Sequence, residues 1–559
     1  MAAKLNAKII SSLEKCFHDE ALSDHPRLKK ASMLRNERYS FQLAMQLQDR
    51  TCKDKKEVYL RVKSALAAYL EVKLVREVPS MFPCYGDARR REYLRRTPGL
   101  YPDLLEPLAE GREIPLVPGQ LRNLWFTIEP HVGMPTGEQK IELELLDENS
   151  MLLARETLAL TVIGMDLPAQ GLTFTQWFHC DCLAVYYGAH VFSERHWEII
   201  ENFLRTARRY GMNMVLTPVF TPPLDTAVGA ERPTVQLVVT VEGGKYRFGF
   251  EKLDRWVHLC LRLGFEQFEI SHFFTQWGAA HAPKIVARVE GRTKRIFGWE
   301  TEAAGEAYAS FLHAFLDALI PHLKELGIDS RCRFHISDEP SEDSLGNYQA
   351  AKRIVEERLK GYPIMDALSS YEFYRQGVSE CPIPSNDHIE PFLEHSVPHL
   401  WTYYCCGQSN GVSNRFLSMP SVNNRIIGTQ FYKYGIEGFL HWGYNFYFSQ
   451  LSRHAVNPFL VTDGDYMVPS GDAFSVYPAP DGTAWESLRL VVFHEALQDQ
   501  RALELCESLY GRAFVMRLLE GGLRGRITFS SYPRRAAFLL RLRERVNAAI
   551  AARQENAEV

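Results

Sequence analysis

The stretch Cys332-Arg-Phe-His-Ile-Ser-Asp-Glu-Pro340 starts as an apolar strand and ends on two adjacent carboxylates and a proline. When strands and helices alternate, functional side chains gather where the strands end and the loops open. Neighbouring side chains on a regular strand point to opposite faces. Asp338 and Glu339 can therefore reach one pocket only if the strand ends or bulges there. Pro340 favours such an ending because it biases Glu339 away from helical geometry.

Strand-like and helical segments alternate on both sides of this stretch. Strands are predicted at 172–178, 212–218, 267–272, 333–337, 363–366, 399–403 and 438–442. Amphipathic helices are predicted at 194–210, 253–263 and 307–326. This alternation favours a (β/α)8 TIM-type barrel with Asp338 and Glu339 at the end of its fourth strand. A doubly wound sheet is the alternative, and the lack of a glycine-rich phosphate loop near a strand end argues against it.

The regions outside this alternation have other patterns. Residues 1–165 contain segments with period-two alternation and turns rich in proline and glycine, which predict an N-terminal β-sandwich that braces its neighbour. Residues 234–250 predict an inserted hairpin with a Gly-Gly turn. The predicted domains are thus a sandwich at 1–165, a catalytic barrel at 166–470, and barrel completion with a small helical C-terminal extension at 471–559.

Composition and charge exclude several classes of partner. The formal net charge of −4 gives no electrostatic support for a nucleic-acid partner. No window approaches the unbroken apolar length that a membrane helix needs, so no membrane partner is expected. The 11 cysteines include no C-x-x-C pair, which predicts reduced, mostly buried thiols and no metal site. The N-terminus lacks the apolar stretch of an export signal, which predicts a cytoplasmic protein.

The adjacent carboxylates have a chemistry of their own. Two carboxyl groups a few ångströms apart push each other's pKa values apart. One then stays ionised while the other holds a proton at neutral pH, as an acid must in order to protonate a glycosidic oxygen. The alternative is an exposed Asp-Glu pair at a helix N-terminus, where the helix dipole favours negative charge.

Other predicted strand ends place aromatic residues beside polar ones. This mixture is typical of sugar sites, because ring faces contact the C–H surface of a sugar while amides and carboxylates bind hydroxyls. Ordinary core packing is the alternative for any single cluster. The residues predicted to line one cavity around the pair are His179, Asp181, His272, Gln276, Trp277, Trp401, Tyr403, Trp442, Tyr444 and Asn445.

Several motifs, in order, resemble glycoside hydrolase family 123. They are Leu34-Arg-Asn-Glu-Arg-Tyr-Ser-Phe-Gln42, Glu231-Arg-Pro-Thr-Val-Gln236, Ser271-His-Phe-Phe-Thr-Gln-Trp-Gly278, His335-Ile-Ser-Asp-Glu-Pro340 and Gly438-Phe-Leu-His-Trp-Gly-Tyr-Asn445. The resemblance implies a retaining, exo-acting β-N-acetylgalactosaminidase without a cofactor. Glu339 would be the general acid/base, and Asp338 would orient the 2-acetamido group and stabilise the oxazolinium-like intermediate that it forms. His335 joins the expected substrate-binding residues.

The leading interpretation is a retaining exo-β-N-acetylhexosaminidase that favours N-acetylgalactosamine. A second is a glycosidase of the same fold for another sugar or linkage, in which Asp181 or Glu269 serves as nucleophile. A third is a non-catalytic carbohydrate-binding protein. The expected partner is an oligosaccharide or a glycoconjugate-derived substrate, with a homo-oligomer left open.

Overall fold

The computed structural model describes residues 5–48, 55–339 and 342–558. The chain divides into two compact units. The first comprises Met1–Gln170, Asn410–Tyr434 and Trp485–Val559, and the second comprises Gly171–Ser409 and Gly435–Ala484. Pro340 and Ser341, where a helix start was predicted, lie outside the described residues.

The first unit begins with ten strands. They are β1 (Leu5–Ser11), β2 (Lys30–Leu34), β3 (Tyr39–Leu47), β4 (Lys56–Lys63), β5 (Leu70–Ser80), β6 (Gly99–Pro107), β7 (Ile114–Leu116), β8 (Leu121–Ile128), β9 (Gly137–Leu146) and β10 (Leu152–Ile163). They form two five-stranded sheets, in the orders β1-β3-β8-β5-β6 and β2-β10-β9-β4-β7. Apolar residues from both sheets meet in one core, for example Phe41 and Phe126 from the first and Ile141 and Leu158 from the second.

The remaining strands follow residue 170. They are β11 (Thr173–Gln176), β12 (Met214–Thr217), β13 (Val239–Glu242), β14 (Tyr246–Gly249), β15 (Gln267–Ile270), β16 (Ile285–Val289), β17 (Arg292–Phe297), β18 (Cys332–Phe334), β19 (Met365–Ala367), β20 (Cys381–Ile383), β21 (Trp401–Tyr403), β22 (Gly438–His441), β23 (Val476–Pro478) and β24 (Ala484–Glu486). Each predicted strand of the alternating region overlaps one of them.

Eleven α-helices lie after residue 179 in the described part of the chain. They are α1 (Cys180–Tyr186), α2 (Glu194–Arg209), α3 (Glu251–Leu263), α4 (Glu306–Glu325), α5 (Leu345–Val355), α6 (Tyr371–Arg375), α7 (Glu390–Glu394), α8 (Ser421–Tyr434), α9 (Leu488–Tyr510), α10 (Arg512–Glu520) and α11 (Ala536–Glu558). Ser193 caps α2 by accepting a hydrogen bond from the backbone of His196. Gly264, in the left-handed conformation, ends α3. The three predicted helices are therefore α2, α3 and α4.

Parallel strands dominate the second unit. They form three sheets, in the orders β11-β22-β21, β12-β15-β18 and β19-β20. Two isolated parallel bridges, Phe334–Ile364 and Ser385–Tyr403, lie beside β18 and β21. The hydrogen-bonded ladders among the described residues are thus separate, and they do not show one closed barrel. Their apolar side chains share a core that includes Met214, Met365 and Leu440.

The predicted hairpin is confirmed. Strands β13 and β14 pair antiparallel, with Glu242 opposite Tyr246. Gly244 has a φ of 82°, a conformation that glycine adopts without steric cost. The hairpin belongs to a four-stranded sheet in the order β14-β13-β16-β17, whose second half the sequence patterns did not indicate.

The C-terminal helices belong to the first unit together with residues 410–434. Leu503 of α9, Leu519 of α10 and Val546 of α11 pack in a second apolar core with Leu34 and Ile163. These contacts associate the last part of the chain with the strand-rich domain.

The ten cysteines within the described residues are all free, and six of them are buried. This confirms, for that part of the chain, the prediction that the thiols are unpaired and mostly buried. None of the described helices combines the length and apolar character needed to cross a membrane. A cytoplasmic location stays a prediction.

Candidate active site

Backbone hydrogen bonds place the Asp338–Glu339 pair beside the segment that follows β15. The Phe274 N–H donates to the Ile336 carbonyl at 3.1 Å, and the Trp277 N–H donates to the Asp338 carbonyl at 3.0 Å. Strand β18 ends at Phe334, and Glu339 has a φ of 42°. This left-handed turn removes the strict alternation of faces, so both carboxylates line the same cavity, as the sequence predicted.

The cavity lies within the second unit and has a volume of about 150 Å³. Aromatic rings and four acidic or amide side chains make up much of its wall. Its lining residues are Trp177, His179, Leu224, Asp225, Gln276, Trp277, Asp338, Glu339, Ala367, Tyr403, Cys405, Cys406, Leu440, Trp442, Phe446, Met467 and Val468.

Hydrogen bonding and charge distinguish the two carboxyl groups. The Tyr403 hydroxyl donates to Glu339 Oε1 at 2.7 Å. Burial, and secondly the Glu339 charge, raise the pKa of Tyr403 well above its usual value, so that hydroxyl keeps its proton. Burial and the adjacent Glu339 carboxylate raise the pKa of Asp338. Asp338 therefore holds a proton more readily than an isolated carboxyl group would.

Two tryptophans present their rings to the cavity while buried carboxylates hold their N–H groups. Trp177 Nε1 donates to Glu269 Oε1 at 2.6 Å, and Trp442 Nε1 donates to Asp472 Oδ2 at 2.8 Å. With these donors engaged, the indoles offer ring surface to a ligand. Such surfaces contact the C–H groups of a sugar.

A buried ion pair supports His179. The Arg232 guanidinium donates to both oxygens of Asp181, at 2.7 and 2.8 Å, and to His179 Nδ1 at 3.2 Å. His179 Nε2 then donates to the Trp442 carbonyl at 3.0 Å. Burial and the Arg232 charge lower the pKa of His179 to about 4, so its ring is neutral. Asp181 and Arg232 thereby fix the ring that lines the cavity and, through it, the backbone of Trp442.

A second buried network lies around His335. Its Nε2–H donates to Glu269 at 2.7 Å and its Nδ1–H donates to Asp366 at 3.0 Å. Burial alone would lower the pKa of His335, but the hydrogen bonds to Asp366 and Glu269 raise it to about 10. His335 is therefore an imidazolium at neutral pH. Glu269 also accepts a hydrogen bond from the Thr175 hydroxyl at 2.8 Å.

The neighbouring His272 is in a different protonation state. Its ring stacks on His335 with centroids 4.2 Å apart and an interplanar angle of 18°. Burial and the His335 charge lower its pKa, so the ring is neutral. Neither of its ring nitrogens has a hydrogen-bond partner in the described part of the chain.

Among the described residues, His272, His335 and Asp366 place ligand-type atoms within 4.8 Å of one another. Metal ligation requires lone pairs that converge on one point. The two rings are stacked, so their in-plane lone pairs lie in two nearly parallel planes and do not converge on one ion. Both His335 nitrogens already face carboxylates. The geometry thus fits a charged hydrogen-bond network better than a metal centre.

We expect Glu269→Gln to destabilise the protein by about 1.5–3 kcal/mol, because it removes one of the two carboxylates that compensate the buried His335 charge and replaces a charged hydrogen bond by a neutral one. The midpoint of urea unfolding, followed by tryptophan fluorescence, measures the loss. Glu372→Gln is the control, since that carboxylate is exposed and its contacts with Arg375 and Gln376 are local. This change should alter stability by less than about 0.5 kcal/mol. Equal midpoints for wild type and Glu269→Gln would contradict the charged state of His335.

The structure brings together part of the predicted set. The cavity contains Asp338, Glu339, His179, Gln276, Trp277, Tyr403 and Trp442. The others lie behind its wall: Asp181 in the Arg232 ion pair, His272 and His335 in the stacked pair, Trp401 against Arg333, Tyr444 with its hydroxyl on the Phe203 carbonyl, and Asn445 on the backbone of His179.

The sequence patterns missed several lining residues. Trp177 lies in the predicted strand 172–178, close to His179, and Phe446 directly follows Asn445, so their proximity to predicted site residues was a usable signal. Asp225 ends the polar and proline-rich segment that follows β12. Met467 and Val468 come from an irregular loop, where no periodicity marks a position. Cys405 and Cys406 follow β21 after Tyr404, and the Cys405 thiol donates to Gln408 Oε1 at 3.4 Å.

Comparisons with known proteins agree with this geometry. The sequence profile of a family described as "Glycoside hydrolase 123, catalytic domain" matches residues 177–506. The matched segment is more than half of the 559-residue chain. A search of curated proteins found no significant match.

Solved structures add information about the fold. The chain is similar to a family 123 glycoside hydrolase from Clostridium perfringens that is described as showing details of glycolipid glycan hydrolysis. The TM-score is 0.75, the identity is 15%, and 99% of each chain is covered. An endo-β-1,4-mannanase from Thermotoga petrophila is 12% identical, with 60% of this chain and 78% of that chain covered and a TM-score of only 0.35.

The profile match includes both carboxylates and every residue that lines the cavity. The protein is multidomain, with a strand-rich N-terminal domain and a glycoside hydrolase domain. The chain therefore belongs to glycoside hydrolase family 123.

Proposed function

We propose that the protein is a retaining, exo-acting β-N-acetylhexosaminidase that favours N-acetylgalactosamine and uses the substrate's acetamido group as nucleophile. The observation that carries this proposal is the placement of Asp338 and Glu339 in one small aromatic cavity. Ligand pockets usually measure about 300–1,000 Å³. A cavity of about 150 Å³ suits one terminal sugar ring better than an internal stretch of polymer.

We also propose that the parallel strands form a (β/α)8 barrel after an N-terminal β-sandwich. In chain order, β11, β18, β19, β20 and β21 each precede an α-helix without another strand between them, and β12, β15 and β22 precede one after two intervening strands. The two parallel bridges lie where adjacent sheets would join. The catalytic pair would then follow the fourth strand, at the carboxyl end of the barrel.

In the proposed first step, Glu339 donates its proton to the glycosidic oxygen as the bond to C1 breaks. The acetamido carbonyl oxygen forms a bond to C1, which gives a cyclic oxazolinium-like intermediate. Asp338 accepts a hydrogen bond from the acetamido N–H and stabilises the positive charge of the intermediate. Binding of that N–H favours the ionised form of Asp338, as this role requires. Water then attacks C1 with Glu339 as base.

The alternative with a protein nucleophile has less support. Asp181 accepts two hydrogen bonds from Arg232 and is buried. Glu269 is also buried, with Thr175, Trp177 and His335 as hydrogen-bond donors. Neither carboxylate lines the cavity. A nucleophile must reach the sugar carbon directly, so substrate assistance explains the geometry better.

The proposed substrates are glycans with a terminal N-acetylhexosamine, including those derived from glycolipids. The similar Clostridium perfringens protein is described in connection with glycolipid glycan hydrolysis. The described polar groups of the cavity can hold the sugar, with Gln276 and Tyr403 beside the pair and Trp442 under the ring.

A panel of 4-nitrophenyl glycosides tests the proposal. We expect turnover of β-N-acetylgalactosaminide, slower turnover of β-N-acetylglucosaminide, and none of β-galactoside or β-glucoside. The reason is that only the first two carry an acetamido group at C2. Release of nitrophenol measures the rates, and NMR of the first-formed product measures retention at C1. Efficient hydrolysis of the β-galactoside would contradict substrate assistance, and binding without turnover would favour a lectin.

A further inference from the structure

Asp225 is a third acidic residue in the cavity, and the catalytic scheme does not use it. Its Oδ2 accepts a hydrogen bond from the Leu451 backbone N–H at 3.0 Å. Within residues 5–48, 55–339 and 342–558, no hydrogen bond reaches its Oδ1. One carboxylate oxygen is thus anchored while the other is available to a ligand.

The backbone around Asp225 is held in an unfavourable conformation. Asp225, Leu451 and Ser452 have φ values of 41°, 58° and 53°. Non-glycine residues seldom adopt such values, and they persist where the surrounding structure enforces them, often at functional sites. The Ser452 hydroxyl donates to the Asp225 carbonyl at 2.7 Å, and the Ala227 N–H donates to the Leu451 carbonyl at 3.1 Å. These bonds lock two loops and fix the carboxylate.

A second acceptor lies next to Asp225. Gln276 Nε2 donates to the carbonyl of Thr226 at 3.2 Å. This bond orients the side-chain amide and leaves Gln276 Oε1 as an acceptor at the cavity. Asp225 and Gln276 therefore give the cavity two acceptors in addition to those of Tyr403 and the catalytic pair.

We propose that Asp225 is a specificity-determining residue that accepts a hydrogen bond from the C4 hydroxyl of a terminal N-acetylhexosamine, with Gln276 supporting it. This inference rests on the proposed function. Asp338 and Glu339 occupy the region of C1 and C2. In a pyranose ring C4 lies across from C1, so its hydroxyl is available to a carboxylate that is not part of the catalytic pair. That carbon is the one that distinguishes galacto from gluco sugars.

The ionisation of Asp225 gives this contact a pH dependence. Burial raises the pKa of Asp225 to about 6. The ionised carboxylate is the better acceptor, so the KM for the preferred sugar should rise as pH falls through about 6. Asp225→Asn should lose this dependence, since an amide does not titrate.

The experiment compares three 4-nitrophenyl substrates: the β-N-acetylgalactosaminide, its C4 epimer, and the 4-deoxy analogue. We expect Asp225→Asn to lower kcat/KM for the preferred epimer by about 10–10²-fold and to leave the 4-deoxy analogue within about 2-fold, because the lost partner is the C4 hydroxyl. Asp317→Asn is the control, since that carboxylate is exposed and contacts Arg358.

Two results would overturn the inference. Equal losses for the deoxy and parent substrates would make Asp225 a structural residue. Loss of all turnover with rescue by azide would make it a nucleophile. Asp225→Ser serves as a second variant if Asp225→Asn does not fold. If wild type turns over no substrate, the proposed function fails. Thermal shifts with free N-acetylgalactosamine and N-acetylglucosamine then decide the role of Asp225, since equal shifts for the two sugars would contradict it.

Discussion

Glu339→Gln should lower kcat for a substrate with a poor leaving group, such as a methyl or glycosyl β-N-acetylgalactosaminide, by about 10²–10⁴-fold. The variant keeps the shape of the side chain and its contact with the Tyr403 hydroxyl, but it has no proton to donate. A dinitrophenyl leaving group needs little protonation, so the first step with that substrate should be slowed much less. Steady-state rates across leaving groups of graded pKa measure the effect.

The leaving-group dependence separates chemistry from folding. Glu372→Gln removes an exposed carboxylate of the same unit and should keep wild-type rates with every leaving group. A misfolded Glu339→Gln protein would lose activity equally on all substrates. The same loss with methyl and dinitrophenyl glycosides would therefore argue against Glu339 as the acid.

Much of the fold could be predicted because periodic patterns of apolar residues indicated its strands and helices. Alternation with period two at 59–63 and 141–146 follows from sheets that bury one face, and β4 and β9 cover those residues. The Gly243-Gly244 turn was informative because few residues accept that backbone. The boundaries of the two units were harder to predict from the sequence. Residues 410–434 and 485–559 pack with the strand-rich domain through apolar side chains that any helix could carry.

The candidate site was predictable where a strand end and a chemical group coincide. Asp338 and Glu339 follow the apolar segment of β18, and Tyr403 is the last residue of β21. It was harder to predict which residues of a strand reach the cavity and which stay in the core. Trp401 and Tyr403 lie on one face of β21, two residues apart, but Trp401 packs against Gly438, where a Cβ would lie 2.0 Å from the ring. Trp401 therefore fills core space while Tyr403 reaches the cavity.

The charge states of the histidines at the site could not be predicted from the sequence. His272 and His335 look alike in sequence, yet one is neutral and the other is an imidazolium between two carboxylates. The difference arises from Glu269 and Asp366, which come from other strands. Such partners are brought together by the tertiary fold and leave no local pattern. Asp225 was missed for the same reason, because the loop that anchors it begins more than two hundred residues later.

Asp338→Asn should lower kcat by about 10²–10³-fold for N-acetylgalactosaminides with any leaving group, with a much smaller change in KM. The carboxylate stabilises positive charge that develops only in the transition state and the cyclic intermediate, so its removal affects the reaction more than binding. The insensitivity to leaving group distinguishes this variant from Glu339→Gln. Initial rates with methyl, nitrophenyl and dinitrophenyl glycosides measure it.

A thiazoline analogue of the cyclised sugar provides a second test of Asp338. The analogue carries positive character when bound, as the proposed intermediate does, so it should inhibit wild type strongly and bind Asp338→Asn at least about 10²-fold more weakly. Free N-acetylgalactosamine lacks that charge and should bind both proteins similarly, which controls for the intact cavity. If both proteins bound the analogue equally, Asp338 would not stabilise a cyclised acetamide, and a mechanism with a carboxylate nucleophile would replace it.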